Sequence, residues 1–276
     1  MNTGTKNSIP PPNLLDNLDE ALLVVNRPRL GLLVDFDGTI SRIGPTPDEA
    51  TVSPACLHSL HNLAGKLALV SVVSGRSADE IREKVGLDGL TYVGSHGAEY
   101  LENGRLHVEP RAVEYRDTIK STFEKLRVAV PETGLVWQYK DLSASVHYRL
   151  APNPRQARVA LETALDSTPG IGALEVFWGK MVLELRAPVG LDKGHVVRKL
   201  VRERTLDALV FMGDDTTDLD GLRAVRELVA GGQVAGLGIA VLDEDSQPAL
   251  MESAGYSLEG VPEVEAFLNW LDSATG

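Results

Sequence analysis

Short unbroken apolar runs alternate with longer amphipathic stretches over the first hundred residues of the chain. Leu30-Gly31-Leu32-Leu33-Val34 leads into Asp35, so 30–35 reads as a strand buried on both faces. A helix over 53–65 opens at Ser53-Pro54, an apolar strand covers 67–73, and a helix over 77–85 has Ser77 as its cap with Glu80 three residues later. This βαβα order predicts a parallel sheet with helices on its faces. A strand at 91–94 follows, then a hairpin joining 97–100 to 105–108 around Asn103-Gly104.

The rhythm changes near residue 110. A helix over 111–128, alternating strands over 134–140 and 143–150, a helix over 153–167 and a strand pair, 173–178 and 181–186, read as an αββαββ insert. The first rhythm then returns with a helix over 193–204, the run Ala208–Met212, a helix after Thr217, a strand at 238–241 and a last helix near 262–272. The expected organisation is a flexible lead and short helix at 1–28, a core segment at 29–109, an inserted cap at 110–187 and a second core segment at 188–276. The fold class is α/β: a Rossmann-like three-layer core with a parallel sheet, carrying a two-layer α/β cap. Clefts at such junctions commonly hold substrates.

Composition narrows the partners. The 276 residues are 43% hydrophobic, and the formal net charge of −12 argues against nucleic acid or an anionic membrane surface, both of which attract basic faces. No apolar run approaches the roughly 20 residues of a membrane helix; Leu14–Val25 is interrupted by Asp16, Asp19 and Glu20 and reads as a short amphipathic helix. The dozen residues ending in Pro10-Pro11-Pro12 read as a disordered lead. A single cysteine, Cys56, forms no internal disulfide and fits a cytoplasmic protein. The oligomeric state is left open, a monomer being compatible with the sequence.

The chemistry gathers where strands end. Asp35-Phe36-Asp37-Gly38-Thr39 places two carboxylates just past an apolar strand, where ligands of open α/β sheets collect. Asp35 could attack a phosphoryl group and Asp37 could pass protons, although Asp-Gly is also a hairpin signal. Gly213-Asp214-Asp215-Thr216-Thr217-Asp218 repeats the arrangement, and two acidic strand ends make a Mg²⁺ site plausible through Asp35, Asp214 and the Asp37 carbonyl. Thr216 to Glu227 fits a calcium-loop spacing except at its first position, but a strand precedes it where that motif needs a helix. Ser74-Gly75-Arg76 ends a third strand: Ser74 could hold phosphate or cap a helix, and Arg76 could pair with phosphate or fix the acids. Lys193 opens a helix, against the helix dipole, and so needs another reason such as a phosphoryl oxygen.

In this order the four signals resemble the haloacid dehalogenase-like (HAD) hydrolase superfamily, with the insert in the place of its second (C2) cap type. The strings Asp-Phe-Asp-Gly-Thr-Ile-Ser, Ser-Gly-Arg, Gly94-Ser95-His96-Gly97-Ala98-Glu99, Lys140 with Ser143 and His147-Tyr148-Arg149, Glu184-Leu185-Arg186 and Gly-Asp-Asp-x-Thr-Asp-x-Asp look more narrowly like trehalose-6-phosphate phosphatase. The resemblance implies Mg²⁺-dependent hydrolysis of trehalose 6-phosphate, a disaccharide phosphate, at the last step of trehalose biosynthesis. By it, Asp35 is the nucleophile, Asp37 the acid/base, and Ser74 and Lys193 hold the phosphoryl group. Asp35, Asp37 and Asp214 would bind the metal, with Asp215 and Asp218 in or near its shell. Arg76, His96, Glu99, Lys140, His147, Arg149 and Glu184 are the implied substrate contacts.

Departures from the family pattern are local. Leu219 stands where a Glu is common and Leu222 where an aromatic is common, which bears on substrate preference and leaves another sugar phosphate open. A catalytically silent sugar-phosphate sensor is the rival from another class, against which the intact Asp35/Asp37 pair argues. His58 and His61 lack further ligands for a metal site, Gly236-Leu237-Gly238 lacks the third glycine of a dinucleotide fingerprint, and no P-loop is present.

Overall fold

Strands hidden on both faces have no polar side to turn outward, and the buried runs of this sequence accordingly become the centre of one sheet. The computed structural model describes residues 10–44, 46–131 and 133–275. In chain order the strands are β1 (Leu30–Asp35), β2 (Ser41–Arg42), β3 (Thr51–Val52), β4 (Leu69–Val73), β5 (Thr91–Gly94), β6 (Glu99–Glu102) and β7 (Arg105–Val108). There follow β8 (Val136–Tyr139), β9 (Ser143–His147), β10 (Glu175–Gly179), β11 (Val182–Arg186), β12 (Ala208–Gly213), β13 (Ala235–Leu242) and β14 (Tyr256–Glu259). The first helices are α1 (Leu18–Val25), α2 (Pro54–Ala64), α3 (Ala78–Val85), α4 (Pro110–Val113) and α5 (Arg116–Ala129). The others are α6 (Pro154–Ser167), α7 (Lys193–Arg204), α8 (Leu219–Ala230), α9 (Pro248–Ser253) and α10 (Gly260–Ala274).

The large sheet has the order β14-β13-β12-β1-β4-β5-β6-β7. It is parallel from β14 to β5 and antiparallel at β6 and β7, so the expected parallel sheet carries a hairpin on one edge. That hairpin turns at Asn103 and Gly104, both at positive φ. Successive residues of β1 feed opposite layers: Leu32 packs with Ala21, Leu60, Ile81 and Phe267, and Leu33 with Val196, Leu222 and Phe211. Each such side chain gains about 1.5–3 kcal/mol by leaving water, and the pattern makes three layers, with α1, α2, α3 and α10 on one face and α7, α8 and α9 on the other.

Residues 116–186 build a second, antiparallel sheet, β10-β11-β9-β8. Helices α5 and α6 cover one face through Ile119, Phe123, Ala157 and Leu161, packed on Val146 and Leu183. The chain passes between the two units twice, before α5 and after β11. Ala98, Ala112, Leu142, Ala187 and Leu191 form a small apolar cluster there, with Val108, Tyr115 and Val189 packed against it.

Several expected elements are revised. The helix over 14–25 is a 3-10 turn at Leu14–Asp16 followed by α1, broken at Asn17, whose φ of −130° is not helical. The helix over 111–128 divides at Glu114-Tyr115 into α4 and α5. The strand over 143–150 stops at His147, leaving Arg149 in a turn. Neither α9 nor the edge strand β14 was expected. Of the lead, residues 1–9 lie outside the described residues; Pro11 and Pro12 are ordered, their carbonyls accepting from Ser257 Oγ (2.8 Å) and Ser257 N (3.0 Å). The calcium-loop spacing has no calcium-loop fold, since β12 precedes it and α8 begins inside it; Glu227 pairs with Arg198 at 3.1 Å.

Candidate active site

Three neighbouring strands of the large sheet end together. β1 lies between β12 and β4, with Val34 beside Met212 and Asp35 beside Val73, so Asp35, Ser74 and Asp214 emerge on one edge. Lys193 reaches the same place from the first turn of α7, whose N-cap Asp192 accepts from His195 N at 2.6 Å. The Lys193 ammonium is buried and donates to Asp35 Oδ1 at 2.5 Å and Asp218 Oδ1 at 2.6 Å. Asp218 Oδ2 accepts from Asp215 N at 3.1 Å, half of a reciprocal capping box between these two aspartates.

Two carboxylates therefore share one ammonium, and a third, that of Asp214, lies beside them. Burial, opposed by Lys193, pushes Asp35 up to about 8. Burial and then the neighbouring carboxylates lift Asp214 well above the ordinary range, and burial raises Asp218. Lys193 is held above its ordinary value because Asp218 and Asp35 outweigh the cost of its burial. Oxygens of Asp35, Asp214 and Asp218 all lie within 4.8 Å of one another, and Asp214 Oδ1 is buried without a hydrogen-bond partner. Crowded, buried carboxyl oxygens that resist ionising without more positive charge, one of them unpaired, fit a hard divalent cation. Backbone geometry brings the pieces close: at Gly38, φ is +81° and a Cβ would stand 2.1 Å from Asp214 Oδ2.

Asp37 is held from the side. Arg76 donates through Nε to Asp37 Oδ2 and through Nη2 to Asp37 Oδ1, both at 2.8 Å. The same guanidinium pairs with Glu80, donates to the Pro47 carbonyl at 2.8 Å and lies over the Phe36 ring. With Nε, Nη1 and Nη2 all engaged by protein groups, Arg76 braces Asp37. Ser74 Oγ accepts from Arg76 N at 3.2 Å and lines the cleft.

Facing these groups, the uncovered side of the second sheet closes a cleft. Strand register sets Phe177 beside Glu184, Glu184 beside Ser145 and Ser145 beside Gln138, one row across four strands. Glu184 is the hub of that row. Its Oε2 accepts from Arg186 Nε (3.1 Å) and Nη2 (2.7 Å), and its Oε1 accepts from Ser145 Oγ (3.2 Å) and lies 3.9 Å from Lys140 Nζ. His96 Nε2 approaches Glu184 Oε2 to 2.7 Å without the alignment of a hydrogen bond. Burial works to raise Glu184, yet His96, Arg186 and Lys140 hold it well below the ordinary range. Burial lowers Lys140 and brings both His96 and His147 down to about 4, so the imidazoles are neutral at pH 7.

Asp35, Asp37, Ser74, Arg76, His96, Lys140, His147, Arg149, Glu184, Lys193, Asp214 and Asp215 thus border one cleft, with Asp218 directly behind it. Glu99 does not: its carboxylate accepts from Ala78 N at 2.6 Å, at the start of α3, and is absent from the cleft wall. Gln138, Phe177 and Lys180 border the cleft and were missed from the sequence. Gln138 Oε1 accepts from His147 Nε2 (3.0 Å), and Phe177 carries the Arg186 guanidinium 4.2 Å above its ring. Gln138 shares the alternation of Lys140, which was the available signal.

The family model described as trehalose-phosphatase matches residues 33–261. The trehalose-phosphate phosphatase of Mycobacterium tuberculosis (strain ATCC 25618 / H37Rv) is 34% identical over 210 residues, covering 74% of this chain and 52% of that protein. The one from Mycolicibacterium paratuberculosis is 36% identical over 220 residues, covering 76% and 54%. The chain spans about half the length of these relatives. Among solved structures, the C-terminal domain of C. albicans trehalose-6-phosphate phosphatase superposes with a TM-score of 0.80 at 20% identity, over 97% of this chain and 99% of that one. A haloacid dehalogenase-like hydrolase from Bacteroides thetaiotaomicron gives 0.60 at 14% identity, over 88% and 99%. These two likenesses establish the HAD-like fold.

Proposed function

Because the chain belongs to the trehalose-phosphatase family, we propose that it hydrolyses trehalose 6-phosphate to trehalose and phosphate, the closing step of trehalose synthesis in the cytoplasm. The observation that carries this reading is the Asp35–Lys193–Asp218–Asp214 cluster, set beside a clamped Asp37 and opposite a polar sheet face. The family implies a divalent metal. We take it to be Mg²⁺, held by Asp35, Asp214 and the Asp37 carbonyl with Asp215 and Asp218 adjoining, and supplying positive charge to the phosphoryl oxygens when bound.

In this mechanism Asp35 attacks phosphorus; the bond to the sugar oxygen breaks as the bond to Asp35 forms, and Asp37 delivers a proton to the departing alkoxide. Asp37 then takes a proton from the water that cleaves the aspartyl phosphate, returning Asp35 and releasing phosphate. Lys193 holds Asp35 in place and, with Ser74, would neutralise charge on the transferring group. Arg76 keeps the Asp37 carboxyl oriented through two parallel bonds. The smaller unit acts as a cap: Lys140, His147, Arg149 and Glu184 supply matched donors and acceptors for sugar hydroxyls, and closing it excludes bulk water.

The test is phosphate release with Mg²⁺ from trehalose 6-phosphate, a sucrose phosphate and a hexose phosphate. Selectivity for the trehalose ester is expected. Preference for another ester would reassign the substrate, and tight binding with no release from any ester would make the protein a sensor.

A further inference from the structure

The β10–β11 hairpin meets the core at its turn, Lys180-Met181. Lys180 N donates to Asp215 Oδ2 at 3.3 Å, and Lys180 Nζ pairs with Asp243. The lysine side chain is only 18% exposed, low for a hairpin tip. Its acceptor is arranged in advance. Asp243 follows directly on β13, and its Oδ1 accepts from Asp245 N and Ser246 Oγ, both at 3.0 Å, while its own N–H donates to Ser246 Oγ at 2.8 Å. Those bonds lie within the core loop and leave Oδ2 for Lys180.

The turn is shaped for close approach. A Cβ on Gly179 would stand 3.1 Å from Asp215 Oδ2 and 2.9 Å from Val182. Met181 takes a φ of +60°, where such turns ordinarily place glycine. Beyond Asp215 the contacts run on through the capping box to Asp218, from Asp218 to Lys193, and from Lys193 to Asp35. A continuous line of hydrogen bonds joins the tip of the smaller unit to the proposed nucleophile.

We infer that Lys180 is a positioning residue: the hairpin turn latches the smaller unit onto Asp215 and Asp243, and so holds both the cleft and the Asp215–Asp218 box in their closed arrangement. The latch is made of charge from the loop after β13 and a backbone N–H from the turn, apart from the row of sheet residues that faces the cleft. Swinging the smaller unit away would break both Lys180 contacts and leave the internal bonds of Asp243 intact. Latching stands independently of the phosphatase reading; only its kinetic consequence rests on that reading.

The test uses the full chain with fluorophores on Leu23→Cys in α1 and Val128→Cys in α5, positions 74% and 84% exposed, Cys56 being buried. Single-molecule energy transfer then reports the distance between the two units. Lys180→Glu should raise the open population about fivefold, the size of effect of one partly exposed ion pair. Lys180→Met should give a smaller rise in the same direction, and supplies the answer if the Glu variant fails to fold. Lys180→Glu combined with Asp243→Lys should return the distribution towards the parent. An unchanged distribution in both single variants, or no recovery in the double variant, would overturn the latch; the latter would leave Lys180 as a contact to bound anion. In phosphate release, kcat/KM should fall and recover in parallel. A parent protein that releases no phosphate would defeat the functional reading while the distance measurement still decides the latch.

Discussion

The two walls of the cleft hold opposite imbalances of charge. On the core side three buried carboxylates, Asp35, Asp214 and Asp218, lie together, and the ammonium of Lys193 reaches two of them. On the cap side the one carboxylate of Glu184 is shared by Arg186 and Lys140, with neutral His96 beside it. The core wall is short of positive charge and calls for a cation; the cap wall is short of negative charge and suits an anionic or oxygen-rich guest. The walls also differ in dependence on each other. The contacts of Lys193 and Asp35 lie wholly within the core, whereas Lys140 donates to the Gly75 carbonyl, at 3.3 Å, across the cleft. In the proposed reading, chemistry would be assembled in one unit and selection completed by closing the other.

The strongest challenge to that division is Asp35→Asn. It should lower phosphate release by at least ~10⁴-fold, since nothing else in the cluster takes over the attack, and should leave the unfolding of the cap unchanged in urea. A cap that loosened with it would mean the two walls are not separate. Next is Glu184→Ala, which strands Arg186 and Lys140 in a buried setting and should cost about 3 kcal/mol of stability in the cap. Calorimetric titration with Mg²⁺ should find the core's affinity changed less than about twofold; a large loss would again join the walls.

The smallest effect concerns pH. Asp35 is raised to about 8 in the folded chain from 3.8, so between those values the native state holds a proton that the unfolded state has lost. Stability therefore falls as pH rises through this window, by no more than about 1.4 kcal/mol per unit for one group. His96 and His147, lowered to about 4 from 6.5, act with the opposite sign, but only below about pH 6.5. With chelator present, the melting temperature of the parent should drop more between pH 7 and 8 than that of Asp35→Asn. Equal slopes would remove Asp35 as the titrating group.

What could be read from the sequence follows the same division. Asp35, Ser74 and Asp214 were legible because each stands just past an apolar run, and a strand's end is a local property. The sequence left Arg76 with two roles and could not choose between them, because its partners include Asp37 and Pro47, 39 and 29 residues away; the partner of Glu99, Ala78 N, 21 residues away, was not legible at all. Phe177 and Lys180 were hidden for a related reason. Alternation divides a strand into two faces but does not say which one another unit will meet. The edge strand β14, Tyr-Ser-Leu-Glu, does alternate, but over four residues the alternation is too short to announce a strand.

The two chain crossings at the Ala98, Ala112, Leu142, Ala187 and Leu191 cluster have a kinematic consequence. A body tethered at one point can swivel in three rotations; one tethered at two adjacent points keeps mainly the rotation about the line joining them. If the smaller unit opens as proposed, it would travel along an arc instead of exploring a volume. Each return would bring the same atoms opposite one another, and the orientational search that would otherwise precede a turnover would be reduced to a single angle.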